Sequence, residues 1–458
     1  MTPLPAPVRA AGALGLLLVV AAGYAAALAG PFQFDDYNVI VDNPQVHGLG
    51  AWWQSMPGIR SLLKLSYALN GALWPGATGF HALNLAIHVA NAWLAWAVGR
   101  QWLARLAPAA LPASAAWWMA LLFALHPAAT EAVTYISGRS VSLMALFYLA
   151  AMWCFLAGED SRRPWLSRGA ATGLFALALG VRETAVTLPL ALFLLAWFEG
   201  RSPRDALRGL APQAVLLLVA ALAAVAFAGY DRFFSYSWGT RSPAEQALAQ
   251  AVAHAHLFGH SLLGLRTNLD PDLRVPAAAD LRTALVFAAF IAACLVALLS
   301  RRRWPWLGFA IAWYGLQLAP GYSVLPRFDL ANDRHLYLAM PGAAMALVVP
   351  LLARGWRPLG QALLLALALL MALLTHRRNL EWQSELALWQ ATVRDSPAKA
   401  RPWANLGWAR QQSGDHAGAR AAWECALWLD PGHEQAAINL SLSPAPSAGP
   451  DPRCPSVN

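Results

Sequence analysis

Residues Pro31–Pro44 read PFQFDDYNVIVDNP and bring two adjacent carboxylates, Asp35 and Asp36, directly after a hydrophobic segment, Ala11–Ala29. A segment of this length is close to the roughly 20 helical residues that cross a bilayer core. One interpretation is a solvated turn, in which the aspartates end the helix and accept backbone hydrogen bonds. The other is a functional site at the point where the helix leaves the membrane. The rest of the chain favours the second interpretation.

The composition is that of a membrane protein. Of 458 residues, 58% are hydrophobic and only 12% are charged, and the mean hydropathy is +0.44. A formal charge of +9 could indicate nucleic-acid binding, but the arginines lie in short loops between hydrophobic runs. We therefore predict a membrane-integral, polytopic protein with no nucleic-acid partner. The four cysteines share no metal-ligand spacing.

Hydrophobic runs long enough to approach the thickness of a bilayer recur along the chain. The first run has a longer apolar core than a signal peptide, so we interpret it as a retained helix. The sequence predicts eleven spans, near residues 10–30, 82–104, 114–130, 140–157, 168–182, 184–198, 211–229, 283–300, 305–322, 336–353 and 358–375.

Arginines cluster in alternate loops between these runs, and the positive-inside rule makes those loops cytoplasmic. An N-terminus on the cytoplasmic side and an odd number of spans then put the C-terminal region on the outer side. The loops 31–81, 131–139, 230–282 and 323–335 share that side. Nearly every unusual polar residue of the chain lies there.

A polar stripe begins the second span, where His81, Asn84, His88 and Asn91 recur every three or four residues. Such a stripe can form hydrogen bonds between helices, as is common in membranes. Alternatively, it forms the polar wall of a substrate cavity, to which His81 and His88 would contribute.

Other acids and bases occur near the predicted outer ends of spans, where they indicate a functional cavity unless they pair structurally. Glu131 with Arg139 is one such structural alternative, and a charged turn is another. These residues are His126, Glu131, Tyr135 and Arg139 in the second outer loop, Arg182 and Glu183 between two later runs, and Asn332, Asp333 and Arg334 in the last outer loop.

The third outer region contains an amphipathic helical stretch that begins with Ser242 and has Glu245 three residues later, a capping-box pattern. Within it, His256 and His260 are four residues apart, and His254 is nearby. This spacing suits zinc, but no carboxylate or cysteine completes the set at a usual spacing. We therefore favour an ordinary helix here over a zinc site.

Six segments, in this order along residues 10–440, resemble the multispanning core of the transmembrane and tetratricopeptide-repeat-containing proteins. That family is similar to the protein O-mannosyltransferases of the GT-C glycosyltransferase superfamily. Three departures are Ser61 for the usual proline, Arg182 for lysine and His335 for tyrosine. The segments are PFQFDDYNVIVDNP, RSLLKLSYALN, GFHALNLAIHVANAWL, FALHPAATEAVTYISGRS, GVRETAVTLP and NDRHLYL.

The resemblance implies an all-α, GT-C-type membrane core over residues 1–376 that moves a sugar from a polyprenyl-phosphate donor to an acceptor hydroxyl, with inversion. It implies that Asp35 or Asp36 is the general base, and we favour Asp35. Arginines would hold the donor phosphate; Arg139 and Arg334 are the candidates, with Arg182 third. An acidic pair also suits Mg²⁺ or Mn²⁺, so Asp35 and Asp36 are the predicted metal ligands.

Residues 377–442 are predicted to form a short tetratricopeptide-like (TPR) helical unit that docks on the membrane core and favours a protein acceptor. The Pro/Ser-rich tail, residues 443–458, is predicted to be disordered. Counted from Ala400, repeat positions 4, 7, 8, 20, 24, 27 and 32 are Trp403, Leu406, Gly407, Ala419, Trp423, Ala426 and Pro431.

Two other functions fit the same residues. One is an envelope transferase that modifies a glycolipid, such as O-antigen or lipid A. The other is a scaffold without enzymatic activity that anchors the repeats in the membrane. With Lys64 and Lys399 as the only lysines among 33 basic residues, the codon bias suggests a GC-rich bacterium. We therefore expect the bacterial inner membrane, with the repeats in the periplasm.

Overall fold

A computed structural model describes residues 5–443 except 57, 109–110, 160, 227–234, 236, 238, 324–325 and 354, and it also describes Asp451, Arg453 and Cys454. Part of the predicted third outer loop, residues 230–234, and most of the predicted tail lie outside these described residues. Every regular element within them is helical, as predicted.

Sixteen α-helices of the described chain precede residue 382, and some of the connections between them contain short 3₁₀ or π turns. The first eight are α1 Ala6–Tyr24, α2 Leu49–Gln54, α3 Ser61–Leu73, α4 Ala77–Leu106, α5 Ala115–Leu125, α6 Thr130–Val133, α7 Arg139–Gly158 and α8 Pro164–Val181. The next eight are α9 Leu188–Phe198, α10 Pro203–Arg208, α11 Ala211–Ala226, α12 Pro243–Leu263, α13 Leu281–Ser300, α14 Pro305–Leu318, α15 Met340–Leu351 and α16 Arg357–Glu381.

Five helical segments of the described chain are long and apolar enough to cross a membrane, so the protein is a multi-pass membrane protein. Four of the other predicted spans are shorter apolar helices, and α8 and α14 occupy the remaining two positions. The five are Pro7–Ala29, Ala77–Leu106, Ile136–Gly158, Leu281–Ser300 and Arg357–Glu381, and the four shorter ones are Ala115–Leu125, Glu183–Phe198, Ala211–Ala223 and Met340–Leu351.

Helix α13 shows why the bilayer is needed. Its apolar side chains point outward, with Phe290 and Ile291 more than half exposed and Leu299 80% exposed. A helix that is apolar on every side must be buried, either in a protein core or in hydrocarbon, and the outward face of α13 is not covered by the described protein. In contrast, α5 and α7 lie in the protein core, where they pack on α4.

The predicted capping box at the start of α12 is confirmed. The Ser242 hydroxyl accepts from the Glu245 amide at 3.3 Å, and the Glu245 carboxylate accepts from the Ser242 amide at 2.9 Å. Two of the amides left unpaired at the helix start are thereby satisfied, so α12 has a defined beginning within the third outer region.

Four further helices form the C-terminal unit, and they pack in sequence on one another. Trp423 donates its indole N–H to the Ala404 carbonyl at 3.1 Å, and Trp403 donates to the Pro397 carbonyl at 2.8 Å. Their apolar core continues into the membrane domain through Tyr135. The helices are α17 Glu385–Asp395, α18 Ala400–Gln412, α19 His416–Leu429 and α20 Glu434–Leu442.

The C-terminal unit docks on the predicted third and last outer loops through charged and polar contacts. Arg401 donates to the Asp270 carboxylate at 2.6 Å and to Asp329 at 2.8 Å. Asn268 donates to the Ser396 hydroxyl at 2.7 Å. The unit therefore lies over the face at which the outer loops meet.

Part of the tail is anchored, which differs from the predicted disorder. Cys425 and Cys454 form a disulfide with Cα atoms 5.8 Å apart. The Asp451 amide donates to the Ala421 carbonyl at 3.1 Å, and its carboxylate accepts from Arg410 at 3.0 Å. Composition alone suggested disorder because the long-range cysteine pairing is not visible in a Pro/Ser-rich stretch.

We expect Cys425→Ser to lower the thermal stability of the C-terminal unit. A cross-link that closes a loop of 29 residues stabilises a fold by about 3–4 kcal/mol in the chain-entropy description. The measurement is thermal unfolding of the full chain in detergent, followed by tryptophan fluorescence. Cys294→Ser is the matched control because Cys294 is an exposed free thiol. An equal melting temperature for wild type and Cys425→Ser would contradict the expectation.

Candidate active site

The acidic pair lies in the turn after α1, and its two carboxylates have different surroundings. The Asp36 side chain is 1% exposed. It accepts from the Gln33 amide at 3.0 Å, the Ser137 amide at 2.8 Å and the Ser137 hydroxyl at 2.5 Å. Burial raises the pKa of Asp36 to about 6, against the lowering effect of these hydrogen bonds. Asp36 thus joins the predicted first outer loop to the predicted second outer loop.

Asp35 is half-buried and lies beside Tyr135. Its backbone amide donates to the Tyr135 hydroxyl at 3.1 Å. Burial, followed by the charges of Asp35 and Asp36, raises the pKa of Tyr135. The Tyr135 ring stacks on Trp382 with centroids 5.3 Å apart, so its position is set by the end of α16.

The Arg334 guanidinium lies over the ring of Tyr135. Its guanidinium carbon is 6.0 Å from the Tyr135 ring centroid, and its backbone amide donates to Glu131 at 3.1 Å. The buried Arg334 Nε has no acceptor among the residues that the structure describes. The geometry therefore brings a carboxylate, a phenol and a guanidinium with an unsatisfied donor together, from residues 100 to 300 positions apart.

Four arginines surround His335, next to Arg334. Burial, and then the positive charges of Arg327, Arg182, Arg334 and Arg60, hold the pKa of His335 well below its usual range. So much positive charge in one partly buried place is unfavourable unless an anion shares it. The cluster is therefore a candidate site for phosphate.

Two of these arginines have defined partners. Arg182 donates to the Ser140 hydroxyl at 2.8 Å and lies 3.0 Å from the His335 ring nitrogen Nε2. Arg60 donates to Glu183 at 3.0 Å, in a pair that is about 40% exposed. The predicted site residues Arg182 and Glu183 thus lie in one region, each held by a neighbour.

Backbone strain occurs next to this site. Among the described residues that are not glycine, Phe34 and Arg60 have positive φ angles, 51° and 54°. Such conformations are sparsely populated and gather at functional sites. Phe34 directly precedes Asp35, and Arg60 belongs to the arginine cluster.

A second polar cluster lies around Asp333, the residue directly before Arg334. The Asp333 carboxylate lies at hydrogen-bond distance, 2.8 Å, from His260 Nδ1. It lies 3.9 Å from His256 Nε2. Burial and then the charge of Asp333 raise the pKa of Glu131 to about 8. The charge of Asp333 also acts on the pKa of His126, in the raising direction. Several predicted cavity residues, including Glu131 and Asp333, therefore meet here.

Arg139 is fully buried and is held by protein acceptors rather than presented to a cavity. Its guanidinium donates to Asn84 at 2.6 Å, to Asn70 at 2.7 Å and to the Phe80 carbonyl at 3.0 Å. It also lies 4.9 Å from the Tyr67 ring centroid. The alternative pair with Glu131 does not form, since Glu131 contacts Arg334.

We expect Arg139→Lys to destabilise the fold and to leave the affinity for donor unchanged in the fraction that remains folded. A lysine cannot reproduce the planar fork, so buried acceptors would lose their partners at a cost of about 1–3 kcal/mol each. The measurement is the melting temperature in detergent, with the exposed Arg274→Lys as control. An unchanged melting temperature with weaker donor binding would instead support the role predicted from sequence.

The polar stripe on α4 forms hydrogen bonds between helices. His88 contacts the Tyr337 hydroxyl at 2.7 Å and the Ala124 carbonyl at 3.0 Å. His81 contacts the Gly30 carbonyl at 3.1 Å, and Asn91 donates to Ser142 at 2.8 Å. The observed contacts are those of the first interpretation, in which the stripe forms hydrogen bonds between helices.

Sequence reasoning missed Arg60, Arg327 and Ser137. The two arginines carried a signal, because the positive-inside rule disfavours arginine on the outer side. An arginine in a predicted outer loop is therefore a candidate functional residue, although the same loops also contain arginines outside the cluster, such as Arg241 and Arg274. Ser137 gave no such signal, since serine is common in loops. Asn332 of the predicted cavity is buried, and its amide donates to the Tyr322 hydroxyl at 3.0 Å.

Comparison with curated proteins finds relatives over most of the chain. The protein O-mannosyl-transferase TMTC3 of Mus musculus is 24% identical over 86% of this chain and 48% of its own length. A protein O-mannosyl-transferase of Caenorhabditis elegans is 24% identical over 93% of this chain and 64% of its own length. The protein O-mannosyl-transferase Tmtc2 of Drosophila melanogaster is 32% identical over 42% of this chain and 21% of its own length.

The chain spans about half to two thirds of the length of the first two relatives. No family model and no solved structure matches it. The relatives named above are animal proteins, so they do not support the predicted bacterial inner membrane. The resemblance carried by the six segments is confirmed, and the curated relatives of this chain are the protein O-mannosyl-transferases of the TMTC family.

Proposed function

We propose that this protein is a GT-C-type membrane glycosyltransferase that moves a sugar from a polyprenyl-phosphate donor to a serine or threonine hydroxyl of a protein, with inversion. The observation that carries the proposal is the meeting of Asp35, Tyr135 and Arg334 beside a cluster of arginines. The names of the relatives favour a protein as acceptor and mannose as sugar.

Asp35 is the proposed general base. Asp36 is held by three hydrogen bonds and buried, so its proposed role is to fix the loop. Asp35 takes the proton of the acceptor hydroxyl as the oxygen attacks the anomeric carbon. The bond from the anomeric carbon to the phosphate oxygen breaks as the new one forms. The products are the glycoside and polyprenyl phosphate, and attack from the opposite face inverts the anomeric configuration.

The arginine cluster is the proposed phosphate site. Arg334 has an unsatisfied donor and lies 6.0 Å from the ring of Tyr135, whose hydroxyl accepts from the Asp35 amide. Arg182, Arg327 and Arg60 supply further positive charge, which stabilises the phosphate as it gains charge on leaving. Arg139 has protein acceptors, so in this proposal it positions α7 rather than the donor.

An apolar cavity of about 380 Å³ offers a place for the first isoprene units of the donor. It lies between α3 and the first outer loop, which also carries Asp35. Because the lining is almost wholly apolar, it suits a hydrocarbon chain better than a peptide or a sugar. Its lining includes Phe32, Ile40, Val46, Tyr67, Pro75 and Phe80.

The site is proposed to face an oxidising compartment. Disulfides persist in the periplasm and the endoplasmic reticulum lumen and are rare in the cytosol, and the C-terminal unit carries one. This agrees with the sidedness inferred from the arginines, with eleven spans, a cytoplasmic N-terminus and an outer C-terminal unit.

The C-terminal unit, residues 377–442, is the proposed TPR-like element that presents the acceptor to the core of residues 1–376. Its Trp389 contacts Phe34 with ring centroids 5.7 Å apart, directly beside Asp35. A peptide bound to the unit would therefore be delivered close to the proposed base.

The test is a mass comparison of membrane proteins and lipids from wild-type cells, cells without the gene, and cells complemented with Asp35→Asn. Loss of a hexose-sized mass from a protein in both altered strains supports the proposal. If only lipids change, the acceptor is a glycolipid and the protein-acceptor proposal fails. If the variant behaves as wild type, Asp35 is not the base, and a scaffold role gains support.

A further inference from the structure

We infer that His256, His260 and Asp333 form a binding site for a divalent transition metal, with zinc the best match. The two histidines lie four residues apart on α12, so their rings lie on the same face, with centroids 4.0 Å apart. Asp333, 73 residues after His260, supplies the carboxylate that the sequence around the histidines lacks.

The spacing of the ligand atoms suits one small ion. One nitrogen of each ring and a carboxylate oxygen of Asp333 all lie within 4.8 Å of one another. Zinc bonds nitrogen and oxygen at about 2.0–2.2 Å, so tetrahedral ligands lie roughly 3.3 Å apart. Small side-chain rotations would bring these three atoms to that distance.

Unsatisfied polar atoms surround the same three residues. His256 Nε2 and Glu131 Oε1 are buried and have no hydrogen-bond partner within the described part of the chain. Buried polar atoms nearly always have partners, so two exceptions in one cluster indicate a ligand. Glu131 lies next to the cluster, since its carboxylate accepts at 3.1 Å from the amide of Arg334, the residue directly after Asp333.

The charge of the cluster favours a cation. Glu131 and Asp333 bring two buried carboxylates together, and a divalent ion would relieve their repulsion. Two imidazoles with a carboxylate are ligands of zinc and similar metals, whereas Mg²⁺ and Ca²⁺ prefer oxygen alone. His254 is not part of the set, because its Nδ1 bonds the Gln250 carbonyl at 2.8 Å.

The metal would join α12 to the loop that carries Arg334, the residue directly after Asp333. It would thereby fix the distance between the Arg334 guanidinium and the Tyr135 ring. This role rests on the proposed function. The metal site itself does not, because its three ligands are positioned independently of donor and acceptor.

The test is metal binding by the full chain, purified in detergent with an affinity tag that contains no histidine. After stripping with a chelator, the protein is titrated with Zn²⁺ alone and, separately, with Co²⁺, whose visible absorption reports nitrogen and oxygen ligands. We expect one equivalent of metal, and at least tenfold weaker binding for His260→Ala and His256→Ala. His254→Ala is the matched control on the same helix and should bind as wild type.

Folding is checked in each variant by its melting temperature without metal. His256→Cys serves as a second variant, since a thiolate can replace the imidazole and should retain zinc. No metal uptake by wild type would overturn the inference, as would equal losses in His254→Ala and His260→Ala. Zinc binding by a chain that shows no sugar transfer would overturn the proposed function and leave the metal site in place.

Discussion

Asp35→Asn is expected to lower the rate of sugar transfer by about 10²- to 10⁴-fold, the range that a positioned general base contributes. The amide cannot take the proton of the acceptor hydroxyl, while its shape is nearly that of the carboxylate. Folding should be little affected, because the contact that Asp35 makes with Tyr135 at 3.1 Å uses its backbone amide. The measurement is transfer from polyprenyl-phosphate mannose to peptide in reconstituted vesicles.

Asp42→Asn is the matched control, since Asp42 is an exposed aspartate of the same loop. It should transfer at the wild-type rate. Asp36→Asn provides a second comparison and should chiefly reduce stability, because the carboxylate bonds both Gln33 and Ser137. Wild-type transfer by Asp35→Asn, or an equal loss in Asp42→Asn, would remove Asp35 from the mechanism.

Arg334→Gln is expected to raise the donor concentration for half-maximal transfer by roughly 10- to 100-fold. A hydrogen bond to a charged group contributes about 1.5–3 kcal/mol, and this substitution removes the cation that lies 6.0 Å from the Tyr135 ring centroid. The KM for the peptide acceptor should change much less. The measurement is the KM for each substrate in the same vesicles.

Arg274→Gln is the control for Arg334→Gln. Arg274 lies in the third outer region, is 75% exposed and is paired with Asp272 at 3.6 Å, so its loss should change neither KM. A KM for donor that stays at the wild-type value in Arg334→Gln would show that the phosphate binds elsewhere. An increase confined to the acceptor KM would assign Arg334 to the peptide instead.

The fold was predictable where local signals are strong. Long apolar runs such as Leu281–Ser300 predict spanning helices because only a helix satisfies its own backbone in hydrocarbon. The capping box of Ser242 and Glu245 follows from neighbours three residues apart. The shorter apolar helices, such as α5 with 11 residues, are harder because buried core helices and spans share the same composition.

The candidate site was predictable as a set of residue types but not as a set of contacts. Asp35, Arg334 and Glu131 were identified because charge near the membrane requires a reason. Arg139 drew the same prediction, yet the structure surrounds it with Asn70 and Asn84. A buried arginine held by protein and one available to a ligand have the same sequence signal, since both need acceptors.

By itself, the sequence determined the helical class, the membrane environment, the acidic pair and the family resemblance, since each depends on composition or on short ordered motifs. Only the tertiary structure decided which charges meet. It paired Asp333 with His260, Cys425 with Cys454, and Arg334 with Tyr135. These partners are tens to hundreds of residues apart, and the packing of whole helices, rather than any local preference, brings them together.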